Sequence, residues 1–249
     1  MHFSVAAGLR DLKVLLSGSV FRGEVMARLA RIVVPGLPHH VTQRGNRRER
    51  VFFEDGDHLR YLAFLAEGQK RSGTAIWAYC LMPNHVHVIA VPSHADGLRA
   101  LFAEAHRRYT AFVNGRAGWT GHLWQSRFGS VVMDEDHLAS AIRYVSLNPV
   151  RAGLAARAQD WPYSSVGAHL AGRDDGVVDV APVLQRFPDF AALIEAPAPA
   201  GEFDALRRCE GSGRPLGSDA WLAGLGARLG RKLERRTPGR RRVIRGQFT

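Results

Sequence analysis

The stretch Pro83-Asn84-His85-Val86-His87-Val88-Ile89 decides how the chain is read. Met82-Pro83-Asn84 is turn chemistry, and His85 to Val91 that follows is an apolar run of strand character. Side chains alternate faces along a strand, so His85 and His87 share one face while Val86 and Val88 take the other. Two neighbouring imidazoles can hold a metal ion. They can equally be two half-exposed histidines on an edge strand, and the motif alone does not choose.

Outward from this strand the pattern is regular. Ala75 to Leu81 reads as an antiparallel hairpin partner, and residues 39–45 alternate well enough for an earlier strand. Between these two, Leu59, Leu62, Phe64 and Leu65 predict an amphipathic helix over 55–71, with Asp55 or Asp57 as N-cap and Gly73 as its end. After the histidine strand, Leu98, Leu101, Phe102, Ala105, Tyr109 and Phe112 predict a second helix closing at Asn114-Gly115. Phe128 to Met133 is a fourth strand. Asp134 caps a helix expected to run from Glu135 to Asn148, where Pro149 disfavours helical geometry. The order predicts an α+β fold: a ferredoxin-like βαββαβ four-stranded antiparallel sheet, followed by one more helix.

Beyond Ser165 the composition changes. Residues 172–200 are rich in Asp, Pro and Ala, and Glu210-Gly211-Ser212-Gly213-Arg214-Pro215 reads as a linker. Ser218 caps a helix with Leu222, Leu225, Leu229 and Leu233 on one face, and Arg235 to Arg245 is almost all basic. Residues 1–25 are a poor signal peptide and read as a disordered extension ahead of Met26. The expected division is 1–25, a domain over 26–170, and a helical and basic appendage over 171–249.

The 249 residues carry a formal net charge of +11, mostly from arginine, which favours a polyanionic partner. Two cysteines, Cys80 and Cys209, are too few for a disulfide scaffold. No apolar run approaches the roughly 20 residues of a membrane span.

A chemical partner for the histidines lies on the last helix of the core. Tyr144 and Asn148 are four residues apart, on one helix face. A tyrosine hydroxyl titrates near 10 and is a poor nucleophile at neutral pH, but it can attack a phosphodiester when a metal polarises the phosphate. His85, His87 and the Asn148 amide oxygen would give three ligands, a donor set that leans toward zinc or manganese. The other tyrosines, Tyr61, Tyr79, Tyr109 and Tyr163, have no metal-competent residue one turn further along the chain.

At this point the residues resemble a family. The His-apolar-His strand, the helical tyrosine and the asparagine one turn later are similar to the single-tyrosine HUH transposases, the IS200-like superfamily. The stretch Tyr144-Val145-Ser146-Leu147-Asn148-Pro149-Val150-Arg151-Ala152-Gly153-Leu154 resembles its REP-associated tyrosine transposases. Four further blocks agree in order: His40 to Arg47, Met82 to His87, Trp124 to Phe128, and Trp161 to Ser165. The resemblance covers about 26–170, and Gly213-Arg214-Pro215-Leu216-Gly217 resembles the family's C-terminal region.

The resemblance implies a bacterial, cytoplasmic, nucleoid-associated enzyme that cuts single-stranded DNA beside hairpins of REP-like palindromes. A 5′-phosphotyrosine intermediate and a Mg2+ or Mn2+ ion are implied, in a monomer or homodimer. It makes Tyr144 the nucleophile and His85 and His87 ligands, with Asn148 where relatives carry a polar ligand. Charge and placement nominate Arg44, Asn46, Arg47, Arg48, Arg127, Arg143 and Arg151 as DNA contacts, with Trp124 or Phe128 as stacking surfaces for an unpaired base. Three other readings stay open: a domesticated protein that binds hairpins without cutting, a nuclease using water, and a structural zinc site involving Cys80.

Overall fold

The computed structural model describes residues 31–233. The expected extension over 1–25, the Met26 start and the basic run Arg235 to Arg245 lie outside the described residues. Four strands form one sheet: β1 (His39–Arg44), β2 (Thr74–Met82), β3 (His85–Pro92) and β4 (Gly129–Val132). Their order is β2-β3-β1-β4, and every pairing is antiparallel. This is the ferredoxin-like sheet that the pattern predicts. It puts the histidine strand β3 inside the sheet rather than on an edge.

Alternation splits the sheet residues between two cores. Val41, Tyr79, Leu81, Val86, Val88 and Ala90 face α1 (Asp55–Ser72) and α2 (Gly97–Ala117), which cover one side. Ala78, Cys80, Met82, Ile89 and Val131 face α3 (Glu135–Ser146) on the other. A short helix, α4 (Asn148–Arg151), follows α3 across Leu147. The α3 side is completed by helices from beyond Ser165: α5 (Val166–Ala171), α6 (Ala181–Arg186), α7 (Phe190–Glu195) and α8 (Asp204–Ser212). Val183, Phe190, Ile194, Phe203, Leu206 and Leu216 are buried in the same core as Leu138 and Ile142 of α3. Helix α9 (Asp219–Leu229) is capped by the Ser218 hydroxyl as expected, and Leu225 packs against Ile32, Val34 and Val132.

Several local expectations are corrected. The α1 N-cap is Glu54, in a reciprocal capping box with Asp57, and Leu59 is 65% exposed. Phe64 and Leu65 are buried as expected, and Tyr61 and Gly68 join them on that face. Helix α2 runs through Asn114-Gly115 and ends at Gly118, whose φ of +64° is the left-handed geometry that favours glycine at a C-cap. Helix α3 stops at Ser146, two residues early, because Pro149 restarts the chain as α4. The first half of the linker expected from Glu210 is helix, since Glu210 to Ser212 form the last turn of α8. No helix of the described residues is long and apolar enough to cross a membrane.

Candidate active site

The site sits on the α3 face of the sheet. Register places His87 opposite Thr42 of β1 and Cys80 of β2, and His85 opposite Arg44. Directly opposed residues share a face, so His40, two positions before Thr42, joins them. The His40 and His87 rings stack at 5.1 Å, and His40 Nε2 is hydrogen-bonded to His87 Nδ1 at 2.9 Å. His85 stands edge-on to His87 at 4.8 Å, with its Nδ1 2.6 Å from Asn84 Oδ1. His39 points to the opposite side and serves the backbone, accepting from Val34 N–H and bonding Leu37 C=O.

Tyr144 closes the group from α3. It is 6% exposed, and its ring meets His87 at 5.4 Å and His40 at 5.7 Å, both edge-on. The Arg151 guanidinium lies 4.6 Å from the tyrosine ring centre, and Phe203 backs the ring at 5.4 Å. Burial raises the tyrosine pKa above its usual 10, as does the Glu210 carboxylate; Arg151 and Arg207 pull the other way. The tyrosine is therefore protonated at neutral pH.

Glu210, from the last turn of α8, completes the arrangement. Its Oε1 lies 3.4 Å from His40 Nδ1 and 3.8 Å from His87 Nδ1. Among the described residues, His40, His87 and Glu210 are the one group of three His, Cys, Asp or Glu side chains whose ligand atoms fall within 4.8 Å of one another. His40 Nδ1 and Glu210 Oε1 are buried with no hydrogen bond, which costs about 1–3 kcal/mol for each group unless something else binds it. Burial lowers the His40 pKa to about 3. Burial, with Arg44 nearby, takes His85 to about 4, and burial puts His87 well below 6.5. All three are neutral imidazoles, the form that ligates metal. Burial raises Glu210 to about 7, against the pull of Arg44, Arg207 and Arg151. Nitrogen and carboxylate donors lacking partners in a buried pocket fit a divalent transition ion.

A cleft of about 430 Å³ opens beside this group, lined by Arg44, His85, His87 and Glu210 together with Arg31, Arg127 and Arg207. Of the expected DNA contacts, Arg44 and Arg127 line the cleft, while Asn46, Arg47 and Arg48 form an exposed 3-10 turn at the end of β1. Arg151 lies over the tyrosine. Arg143 is different. It is 5% exposed, pairs with Glu202 at 2.7 Å and donates to the carbonyls of Leu193 and Ala196. Its guanidinium is spent on holding the α7–α8 connection to α3, which corrects its reading as a DNA contact. Trp124 and Phe128 are buried in the α1/α2 core; Phe128 reaches the cleft wall, where the Arg31 guanidinium covers its ring at 3.6 Å. Trp119 is the exposed one, packed edge-on to Phe53.

Asn148 is buried, its Nδ2 has no hydrogen-bond partner, and it is not part of the cleft wall. No hydrogen bond joins it to His85 or His87. The Cys80 thiol points at Met82 Sδ, 3.7 Å away, and lies outside the three-residue group.

Sequence reasoning missed Arg31, His40, Arg207 and Glu210. His40 is a strand residue whose role depends on register with β3. Glu210 hides in a Gly- and Ser-rich stretch, although Phe203, Leu206 and Cys209, three residues apart, already mark a buried helical stripe before it.

Residues 33–148 match the family model described as transposase IS200 like. A protein of Haemophilus influenzae described as a REP-associated tyrosine transposase is 29% identical over 99 residues, covering 35% of this chain and 56% of that one. The REP-associated tyrosine transposase of Escherichia coli is 23% identical over 127 residues, covering 51% and 73%. The chain thus spans little over half of the first relative's length. Among solved structures, a REP-associated tyrosine transposase bound to a REP hairpin aligns with a TM-score of 0.49 at 21% identity, covering 62% of this chain and 90% of that one. A transposase from Deinococcus radiodurans aligns at 0.34 and 25%, covering 47% and 93%. The matched segment carries β1 to α3, with His40, His85, His87 and Tyr144 on it, and over that segment the chain is similar to the transposase IS200-like family.

Proposed function

We propose that this protein cuts and rejoins single-stranded DNA next to hairpin-forming palindromes, using Tyr144 as the nucleophile. The observation that carries this reading is the seat of Tyr144. Its ring lies against His87 and His40, between the cations of Arg151 and Arg207 and beside a cleft lined with arginine. A tyrosine needed only for packing would gain nothing from that company.

In the cutting step the Tyr144 oxygen attacks phosphorus and loses its proton. The bond from phosphorus to the 3′ oxygen breaks, and that oxygen leaves as a 3′ hydroxyl after taking up a proton. The strand stays joined to tyrosine through its 5′ phosphate, and the reverse reaction with another 3′ hydroxyl joins two strands without an added energy source. Arg44, Arg127 and Arg207 hold backbone phosphates along the cleft, and Arg151 steadies the phenolic ring. His85 and His87 are the ligands for a divalent ion, Mg2+ or Mn2+, which when bound would polarise the phosphate and neutralise charge in the transition state. The hairpin preference draws on the REP-associated names of the relatives.

The test uses an oligonucleotide carrying a hairpin with a single-stranded flank, incubated with protein and Mn2+ and run on a denaturing gel. A covalent protein–DNA adduct is expected, and Tyr144→Phe abolishes it. Cleavage that survives Tyr144→Phe would mean a water nucleophile. Binding with no cleavage by the unaltered protein would point to a domesticated hairpin binder.

A further inference from the structure

We infer that the exposed pair Trp119 and Phe53 is a stacking platform for an unpaired base in the single-stranded flank of the substrate. The inference rests on the DNA-cutting reading above. It adds a surface that lies outside the cleft and outside the histidine and tyrosine group.

Trp119 is 52% exposed and Phe53 38%, with ring centres 5.5 Å apart and planes at 81°. Among the described residues no other Phe, Tyr or Trp is exposed. Both rings are held by their backbone. Gly118 ends α2 in left-handed geometry, Trp119 N–H donates to Asn114 C=O at 2.9 Å, and Asn114 Nδ2 donates to Gly121 C=O at 3.1 Å. Phe53 N–H donates to the Asp57 carboxylate, which Arg116 grips from the end of α2. Rings fixed in advance lose little freedom when a base lands on them.

The surroundings suit a nucleic-acid strand. Arg47, Arg48 and Arg50 are exposed and form no ion pair among the described residues, whereas Arg99, Arg107 and Arg157 each close on a carboxylate three residues away. The nearby carboxylates are taken, since Arg116 pairs with Glu54 at 3.0 Å and with Asp57 at 2.6 Å. The arginine turn is joined to the tryptophan loop by Asn46 N–H donating to Leu123 C=O at 2.8 Å and by the bridge between Gly45 and Trp124. It is joined to the turn before His85 by Gly45 N–H on Asn84 C=O and Val51 N–H on Pro83 C=O. Further along the tryptophan loop, Gln125, Ser126 and Arg127 line the cleft with Arg44 and His85. One surface therefore runs from the cleft past three free guanidinium groups to the ring pair. Phosphates along it meet arginine, and a base at its end meets an aromatic ring. A hairpin stem keeps its bases stacked inside and offers none, which makes the unpaired flank the occupant. Two rings are also a small apolar area for a protein partner, whose interfaces bury about 800 Å² a side.

The experiment measures, by fluorescence anisotropy, the affinity of the full chain and of Trp119→Ala, Trp119→Leu and Trp119→Phe for three oligonucleotides. These are a hairpin with single-stranded flanks, the same hairpin blunt, and the flanked hairpin with abasic flanks. Melting temperatures establish that each variant is folded. Trp119→Ala and Trp119→Leu should each bind the flanked hairpin about tenfold more weakly, while Trp119→Phe, which keeps a ring, stays within about threefold of the unaltered chain. The unaltered chain should lose about the same tenfold on abasic flanks, a comparison that needs no variant to fold. On the blunt hairpin all four proteins should agree within about twofold. Flanked-hairpin affinity intact in Trp119→Ala and Trp119→Leu, or equal on intact and abasic flanks, would overturn the inference. An equal loss on the blunt hairpin would overturn it too, by placing Trp119 against the stem. The covalent-adduct assay on the same samples keeps the two readings apart. Adduct formation with an affinity indifferent to Trp119 removes only the platform, and a Trp119-dependent affinity without any adduct removes only the cutting. No binding of the flanked hairpin by the unaltered chain would overturn both.

Discussion

Arg47 and Arg48 occupy left-handed backbone, at φ of 52° and 64°, where a side chain with a Cβ is strained. The turn is held there by Gly45 N–H bonding Asn84 C=O at 2.8 Å and by Asn84 Nδ2 donating to the Arg48 carbonyl at 2.9 Å. Strain of this kind collects where function needs a fixed shape, and here it presents two guanidinium groups beside the histidine strand. Arg48→Asn is expected to raise stability by about 0.5 kcal/mol, because asparagine tolerates this geometry, and to weaken binding to single-stranded oligonucleotides. Melting curves and a salt-dependent binding series check the two halves. Unchanged binding would show that this turn does not touch DNA.

At the scale of elements, the start of α1 and the end of α2 are tied by one buried carboxylate. Asp57 accepts from Phe53 N–H at 2.8 Å and Glu54 N–H at 3.1 Å, and Arg116 grips it with two nitrogens at 2.6 and 2.9 Å. Burial pushes the Asp57 pKa up, but the Arg116 bonds and the two backbone donors outweigh it and leave the pKa below 3.8. A depressed carboxylate contributes stability that is fully present above its unfolded value near 3.9 and is lost as pH falls through the folded value. Arg116→Met should cost about 1–3 kcal/mol at neutral pH. Melting temperatures followed from pH 6 to pH 3 should fall less steeply in the variant than in the parent chain. Equal slopes would remove Asp57 from the acid response.

Elements also show how far the sequence could be read. The four strands and α1 to α3 were legible because each repeats its apolar residues with a local period. His85, His87 and Tyr144 sit on those elements, so they were legible too. Leu59 misled because the apolar stripe of α1 includes Tyr61 and Gly68, which do not announce burial. Arg143 misled because its sign suggests phosphate, whereas its three acceptors come from residues 193–202, which no local rule connects to α3. His40 and Glu210 were illegible for the same reason: register and tertiary docking bring them to the site.

Across the whole molecule, residues beyond Ala171 belong to the core of the sheet. Phe203, Leu206 and Leu216 share a core with Ala78, Cys80, Met82 and Val131, and Arg143 depends on Glu202 for its charge partner. A chain ending at Ala171 leaves that sheet face only partly covered, by α3 and α5, and a buried guanidinium without its carboxylate. Such a truncation is expected to lose cooperative thermal unfolding and to bind a hydrophobic dye, measured against the full chain. A truncated chain with a sharp transition near the parent's melting temperature would show that the βαββαβ unit with α3 stands alone.

The position of α8 also bears on synthesis. Glu210 leaves the ribosome 66 residues after Tyr144 (210 − 144), roughly 3 to 13 s later at ordinary elongation rates. During that interval a growing polypeptide holds its histidines and its tyrosine without the acidic group that faces them. The buried Arg143 guanidinium likewise waits for Glu202, so the α3 side of the sheet closes only after residues 193–216 have been made.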